Sequence, residues 1–188
     1  ELEVFAKEHG LLICSIEELI RYRLNTEHTV ERVDARTITT EHGEFNLVTY
    51  RDKISRDIHF ALVRGIVNTD TPTLVRVHVK NPLTDVLHWQ RDDLAVSAHQ
   101  AMAMIAKENA GVLVVLSEPM SSEQLLEQIT EQDGHAATKI KQWRQNGAGA
   151  QILADLGLSR LRVLGTPRRQ VALAGYGLEV IEYVSLAR

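Results

Sequence analysis

Alternation of apolar and polar positions marks the first third of the chain. Val30 to Thr39 alternates and is rich in β-branched residues, Glu41-His42-Gly43 reads as a turn, and Glu44 to Arg51 alternates again. This pattern predicts a β-hairpin. Ile58 to Val67 and Leu74 to His78 read as further strands, divided by the turn-forming cluster from Asn68 to Pro72. From Asp92 the period lengthens, and Leu94, Ala98, Ala101, Met102 and Ile105 form a helical stripe that ends before Gly111. Val112 to Leu116 is continuously apolar, the texture of a strand buried on both faces. Ser121-Ser122-Glu123-Gln124 caps a helix running to about Gln132. Ala150 to Leu156 reads as a helix closed by Gly157, Leu161 to Leu164 as a strand, Pro167 to Ala174 as a helix, and Leu178 to Val184 as the last strand. Upstream, Glu1 to His9 reads as the last turns of a helix closed by Gly10, and Leu11 to Cys14 as a short strand. Ser15-Ile16-Glu17-Glu18 is a capping box opening a helix to about Leu24. These readings add up to an α/β fold around a mixed sheet, with an antiparallel N-terminal half and a β-α-β C-terminal half.

Composition narrows the class. With 188 residues and 44% apolar content, the chain is long enough for one domain, or one domain with an appendage. Its 21 Lys and Arg against 25 Asp and Glu give a net charge of −4, the wrong sign for a nucleic-acid binder. One local exception is the basic group Arg160, Arg162, Arg168 and Arg169, read as surface charge or as a phosphate site at a helix start. A single cysteine, Cys14, forbids an internal disulfide and a multi-cysteine zinc centre. No apolar run approaches the length of a membrane span, and no signal peptide opens the sequence, which begins at Glu1. The expectation is a cytoplasmic chain that continues an N-terminal neighbour, with no membrane partner.

Five segments carry a family resemblance. They are Thr40-Glu41-His42-Gly43-Glu44-Phe45, Tyr50-Arg51-Asp52, Leu74-Val75-Arg76-Val77-His78, the block from Gly149 to Gly157, and Gly175-Tyr176-Gly177-Leu178-Glu179-Val180. In this order and spacing they resemble GTP cyclohydrolase II from about Val30 to Leu186. Glu1 to Arg23 resembles the tail of 3,4-dihydroxy-2-butanone-4-phosphate synthase, which precedes the cyclohydrolase in bifunctional riboflavin-biosynthesis proteins. The resemblance therefore divides the chain into residues 1–29, synthase tail and junction, and residues 30–188, a GTP cyclohydrolase II-like domain. It also implies a homodimer.

The same resemblance implies an activity and shows where this chain departs from it. The family opens the imidazole ring of GTP, releasing formate and pyrophosphate. Zinc on three thiolates activates water there, and magnesium assists at the phosphates. The thiolate positions fall on Asn81, Asp92 and Leu94. Leucine cannot ligate, and asparagine is a poor donor to zinc. The family's arginine-rich run after the strand Val112 to Leu116 is replaced by Ser117-Glu118-Pro119-Met120-Ser121. Its general-base aspartate aligns with Gln142 and its tyrosine with Asn146, whereas its nucleophilic arginine aligns with Arg144. Arg144 is thus the remaining catalytic candidate, and Arg76, Thr166, Arg168 and Arg169 are the nucleotide- or phosphate-binding candidates. Asp85, His88 and Asp92, with His78 and His99 nearby, have the spacing of a substitute metal site, against the simpler reading of a solvated polar face.

Losing the chemistry while keeping the scaffold points to a degenerate, non-catalytic domain that supports or regulates the fused synthase. On that reading neither zinc nor magnesium is expected in this domain. The alternatives are an active GTP cyclohydrolase II with an altered metal site and a sensor that binds GTP or phosphate without turnover.

Overall fold

The computed structural model describes residues 2–14, 18, 22, 27–90, 96–130, 139–165 and 173–185, without the side chains at 139–146 and 174. Among these residues, seven strands form one sheet: β1 (Val30–Thr40), β2 (Gly43–Asp52), β3 (Ile58–Arg64), β4 (Thr73–Val79), β5 (Gly111–Leu116), β6 (Arg160–Leu164) and β7 (Glu179–Val184). Their order is β1-β2-β3-β5-β4-β6-β7. The pairs from β1 through β3 to β5 are antiparallel, and β5, β4, β6 and β7 run parallel to one another. The sheet is therefore mixed, as the sequence pattern predicts.

Alternation along the strands sorts side chains onto two faces. Val112, Val114 and Leu116 of β5 join Val48, Tyr50, Ala61, Val63 and Val75 in a core closed by Ala148, Ala150, Ile152 and Leu153. Those last four belong to α5 (Lys139–Asp155). Leu113 points the other way and packs with Phe45, Leu62, Leu74 and Leu164 against Ala101 and Ile105 of α3 (Ala98–Ile105). Burial of β5 on both faces explains its unbroken apolar run. Two short helices complete the description of this region, α2 (Pro82–Asp85) and α4 (Ser122–Thr130). α1 (Leu2–Glu8) precedes them all.

Several boundaries differ from the expected ones. β3 ends at Arg64 rather than Val67, because Gly65 turns the chain at φ +66 where a Cβ would lie 2.0 Å from the Asn109 carbonyl oxygen. α3 starts at Ala98 rather than near Leu94: Ser97 caps it, accepting from the Gln100 N–H while the Gln100 side chain accepts from the Ser97 N–H. α5 starts eleven residues before Ala150, where Gly147, Ala148 and Gly149 are too small to draw an apolar stripe yet are buried. Gly149 is a close approach, since a Cβ there would sit 2.9 Å from Val77 Cγ1. Leu11 to Cys14 is not a strand; it makes no ladder, and all four residues are exposed. The expected helix opened by Ser15 and the one from Pro167 lie almost entirely outside the described residues, and Ala174–Tyr176 forms a 3₁₀ turn.

Candidate functional site

Open parallel sheets bind ligands beyond the carboxyl ends of their strands. Here those ends are Val79 to Asn81 after β4, Ser117 after β5 and Gly165 after β6. Alternation along β4 places Arg76 and His78 on the same face as Leu74, toward α3.

His78 is buried, and its Nε2 lies 2.8 Å from Asp85 Oδ2. The same carboxylate oxygen accepts the Asn81 N–H at 2.9 Å, and Oδ1 accepts the N–H of Ala98, the first residue of α3, at 3.1 Å. Burial pushes the Asp85 carboxyl up, but hydrogen bonds from His78 and from the Asn81 and Ala98 N–H groups outweigh it and hold the pKa at about 2. The negative charge also sits at the amino end of α3, where the helix dipole favours it. Asp85 is a three-way tie between β4, α2 and α3. His78 Nδ1 has no hydrogen-bond partner among the described residues.

Asn81, where the resemblance places the first thiolate, is the N-cap of α2. Its Oδ1 accepts the Leu83 N–H at 2.9 Å, and its Nδ2 donates to Gln128 Oε1 at 3.1 Å. Both ends of the amide are committed to joining α2 and α4. Two strands away from β4, buried His59 of β3 accepts the Ser117 N–H on Nδ1 at 3.2 Å. Burial pushes the His59 pKa down, against the opposing pull of Asp52, Asp57 and Glu118. Ser121 then caps α4 through a reciprocal pair with Gln124. The segment from Ser117 to Ser121 thus begins on a histidine and ends on a helix cap.

Arg76 Nη1 donates to the Leu164 carbonyl at 3.0 Å, beside Gly165. Its guanidinium therefore marks the end of β6, immediately before Thr166. Thr166, Arg168 and Arg169 lie outside the described residues, and Arg144 is placed on α5 by its backbone alone. Of the basic group, Arg162 pairs with Glu108 at 3.1 Å and Glu182 at 2.5 Å, so its charge is matched at the surface.

Of the alternative metal set Asp85, His88 and Asp92, the first two fall among the described residues. Asp85 is taken up by His78 and two backbone N–H groups, and Asp92 lies outside the described residues. His88, at φ +52, instead approaches His99, with ring centroids 5.7 Å apart. His99 meets His42 edge-on at 4.7 Å, and its Nδ1 lies 3.2 Å from Glu41 Oε1. Donor atoms of Glu41, His42 and His99 all fall within 4.8 Å of one another. Glu41 and His42 escape a reading by sequence spacing because they sit in the β1–β2 turn, far along the chain from His99.

The residues that resemble the family most closely serve as braces. Gln151 Oε1 accepts the Thr29 N–H, and Nε2 donates to the Glu27 carbonyl and to Tyr176 Oη. Asp155 accepts from Tyr50 Oη at 2.6 Å and from Arg32 at 2.7 Å. Both tie the end of α5 to the start of the sheet.

Comparison with known proteins places this geometry. A family model described as GTP cyclohydrolase II matches residues 31–185. A 3,4-dihydroxy-2-butanone 4-phosphate synthase of Pseudomonas syringae pv. tomato is 42% identical over 98% of this chain and 51% of its own length. The riboflavin biosynthesis protein RibBA of Cytophaga hutchinsonii is 34% identical over 99% of this chain and 49% of its own. Among solved structures, RibBX, a two-domain 3,4-dihydroxy-2-butanone 4-phosphate synthase from A. baumannii, matches with TM-score 0.67 and 38% identity, covering 97% of this chain and 48% of that one. The chain spans about half the length of the curated relatives it matches. Among the described residues, no helix is long and apolar enough to cross a membrane.

Proposed function

We propose, for a chain that belongs to the GTP cyclohydrolase II family, a non-catalytic role: supporting or regulating a 3,4-dihydroxy-2-butanone 4-phosphate synthase domain joined to its N-terminal side, within riboflavin biosynthesis. The observation that carries the proposal is Asn81. At the position where the resemblance implies a zinc thiolate, the side chain is an amide whose oxygen caps α2 and whose nitrogen holds α4. The residues aligned with the three ligands do not fit a thiolate-bound zinc. Leu94 offers no donor atom, and the only cysteine, Cys14, belongs to the N-terminal segment. Without that centre, and with Gln142 in place of a base, Arg144 has no partner chemistry for ring opening.

The relatives' names support the link to the synthase, and so does the N-terminal segment. Leu2, Val4, Phe5, Leu11, Leu12 and Ile13 are all exposed. An apolar run of this kind is what a neighbouring domain covers. A homodimeric, cytoplasmic assembly belongs to the same proposal. The experiment compares the full-length protein with a synthase cut before Val30, assayed for ribulose 5-phosphate turnover and thermal midpoint. The full-length protein should exceed the truncated one in at least one of them. Identical values would overturn a supporting role, and formate release from GTP that Arg144→Ala abolishes would overturn the non-catalytic reading.

A further inference from the structure

Glu41, His42 and His99 form a donor set that the family's chemistry does not use. None of them stands at a position aligned with a zinc thiolate. They come from two elements that the sheet brings together, the β1–β2 turn and the first turn of α3. Two imidazoles and one carboxylate are the donors that borderline divalent ions select, and a site with three protein ligands leaves a position for water. We propose that Glu41, His42 and His99 bind one divalent transition-metal ion, zinc by ligand preference, and so clasp the β1–β2 hairpin to α3.

Two observations beyond proximity support this assignment. The Nε2 of His42 is shielded from solvent and has no hydrogen-bond partner among the described residues. A shielded ring nitrogen left unpaired is costly, and a metal ion would satisfy a lone pair on it. Second, the rings are already gathered: His99 packs edge-on against His42, and His88 edge-on against His99. The donors need to close from within 4.8 Å of each other to the roughly 3.4 Å separation that metal–ligand bonds of about 2.1 Å impose. Glu41 and His99 are the exposed and half-exposed members, free to supply that movement by side-chain rotation. On binding, the close contact between His99 Nδ1 and Glu41 Oε1 is replaced by bonds to the ion. A ligating His99 carries its proton on Nε2 if Nδ1 ligates, and Glu41 ligates as a carboxylate.

The test uses the untagged chain, stripped with chelator, and Co²⁺ as a spectroscopic probe followed by Zn²⁺ competition. The expected result is a visible absorption band that saturates at one Co²⁺ per chain, is displaced by Zn²⁺, and comes with a rise in thermal midpoint. His99→Ala and Glu41→Gln should each weaken binding at least tenfold while leaving the metal-free protein folded. His42→Ala should abolish the band. If His42→Ala fails to fold, the two surface variants decide alone. His28→Ala, an exposed histidine away from the cluster, should bind as the parent does. Absence of a saturable band, or a band that survives both His99→Ala and Glu41→Gln, would overturn the proposal.

Discussion

Gln151 and Thr29 are 122 residues apart in the chain and joined by a 2.8 Å hydrogen bond, the Thr29 N–H donating to Gln151 Oε1. Gln151 is buried on α5, and its amide also serves the Val30 N–H, the Glu27 carbonyl and the Tyr176 hydroxyl. One side chain therefore satisfies the backbone where the chain enters β1. Gln151→Leu keeps the volume and strands those groups. The expected loss is about 2–3 kcal/mol of unfolding free energy by urea titration. A loss below about 0.5 kcal/mol would mean that water replaces the amide.

The sheet was legible in the sequence because its signal is local. Period-two alternation marks β1 and β2, and the apolar run from Val112 marks a strand buried on both sides. The first half of α5 was hidden because Gly147, Ala148 and Gly149 pack by being small, which leaves no stripe to read. Leu11 to Cys14 misled for the opposite reason, since an apolar run announces that something covers it but not what does. At the site, that Asn81 and Leu94 carry no thiolate could be read from residue type alone. The tie through Asp85 could not, because it depends on where two N–H groups and an imidazole point. Nor could the meeting of His42 with His99, which follows from the β1–β2 turn reaching the first turn of α3.

Gly149→Ala tests the close approach of α5 to β4. Alanine raises helix propensity by about 1 kcal/mol, yet its Cβ would fall 2.9 Å from Val77 Cγ1 and 3.2 Å from Cγ2. Valine is stiff at χ1 and cannot swing away cheaply. The net expectation is destabilisation by about 1–3 kcal/mol. Adding Val77→Ala should recover part of it, with a coupling of at least about 0.5 kcal/mol in the double-mutant cycle. Simple additivity of the two substitutions would show that the helix shifts freely.

Asp85→Asn tests the tie between β4, α2 and α3. Its carboxyl is held at about 2, below the ordinary aspartate value of 3.8, so the unfolded chain takes up the proton first as pH falls. The stability from this group is full above the unfolded value and fades as pH drops through the folded one. At neutral pH the variant should be less stable by about 2 kcal/mol. The gap between parent and variant should narrow between about pH 4 and pH 2. A gap that stays constant over that window would place the effect in packing rather than charge.

His59 gives the complementary test on the other side of the sheet. Its imidazole is buried on β3 and accepts the Ser117 N–H on Nδ1, an arrangement available only to the neutral ring. Burial lowers its pKa from 6.5, and the carboxylates of Asp52, Asp57 and Glu118 oppose that shift without cancelling it. The unfolded state therefore binds the proton more readily than the native one. Stability from His59 is fully present above about pH 6.5 and is lost progressively as pH falls toward the lower folded value. An imidazole titration by NMR should give a midpoint for His59 below 6.5. Glu118→Gln should lower it further by removing one of the opposing charges. His59→Gln should flatten the acid limb of the stability profile while keeping an oxygen to accept the Ser117 N–H. Protonation of the parent should also release that N–H, which would then exchange faster with solvent below the midpoint. A midpoint at or above 6.5 would mean that the carboxylates prevail over burial and that His59 carries its charge inside the fold.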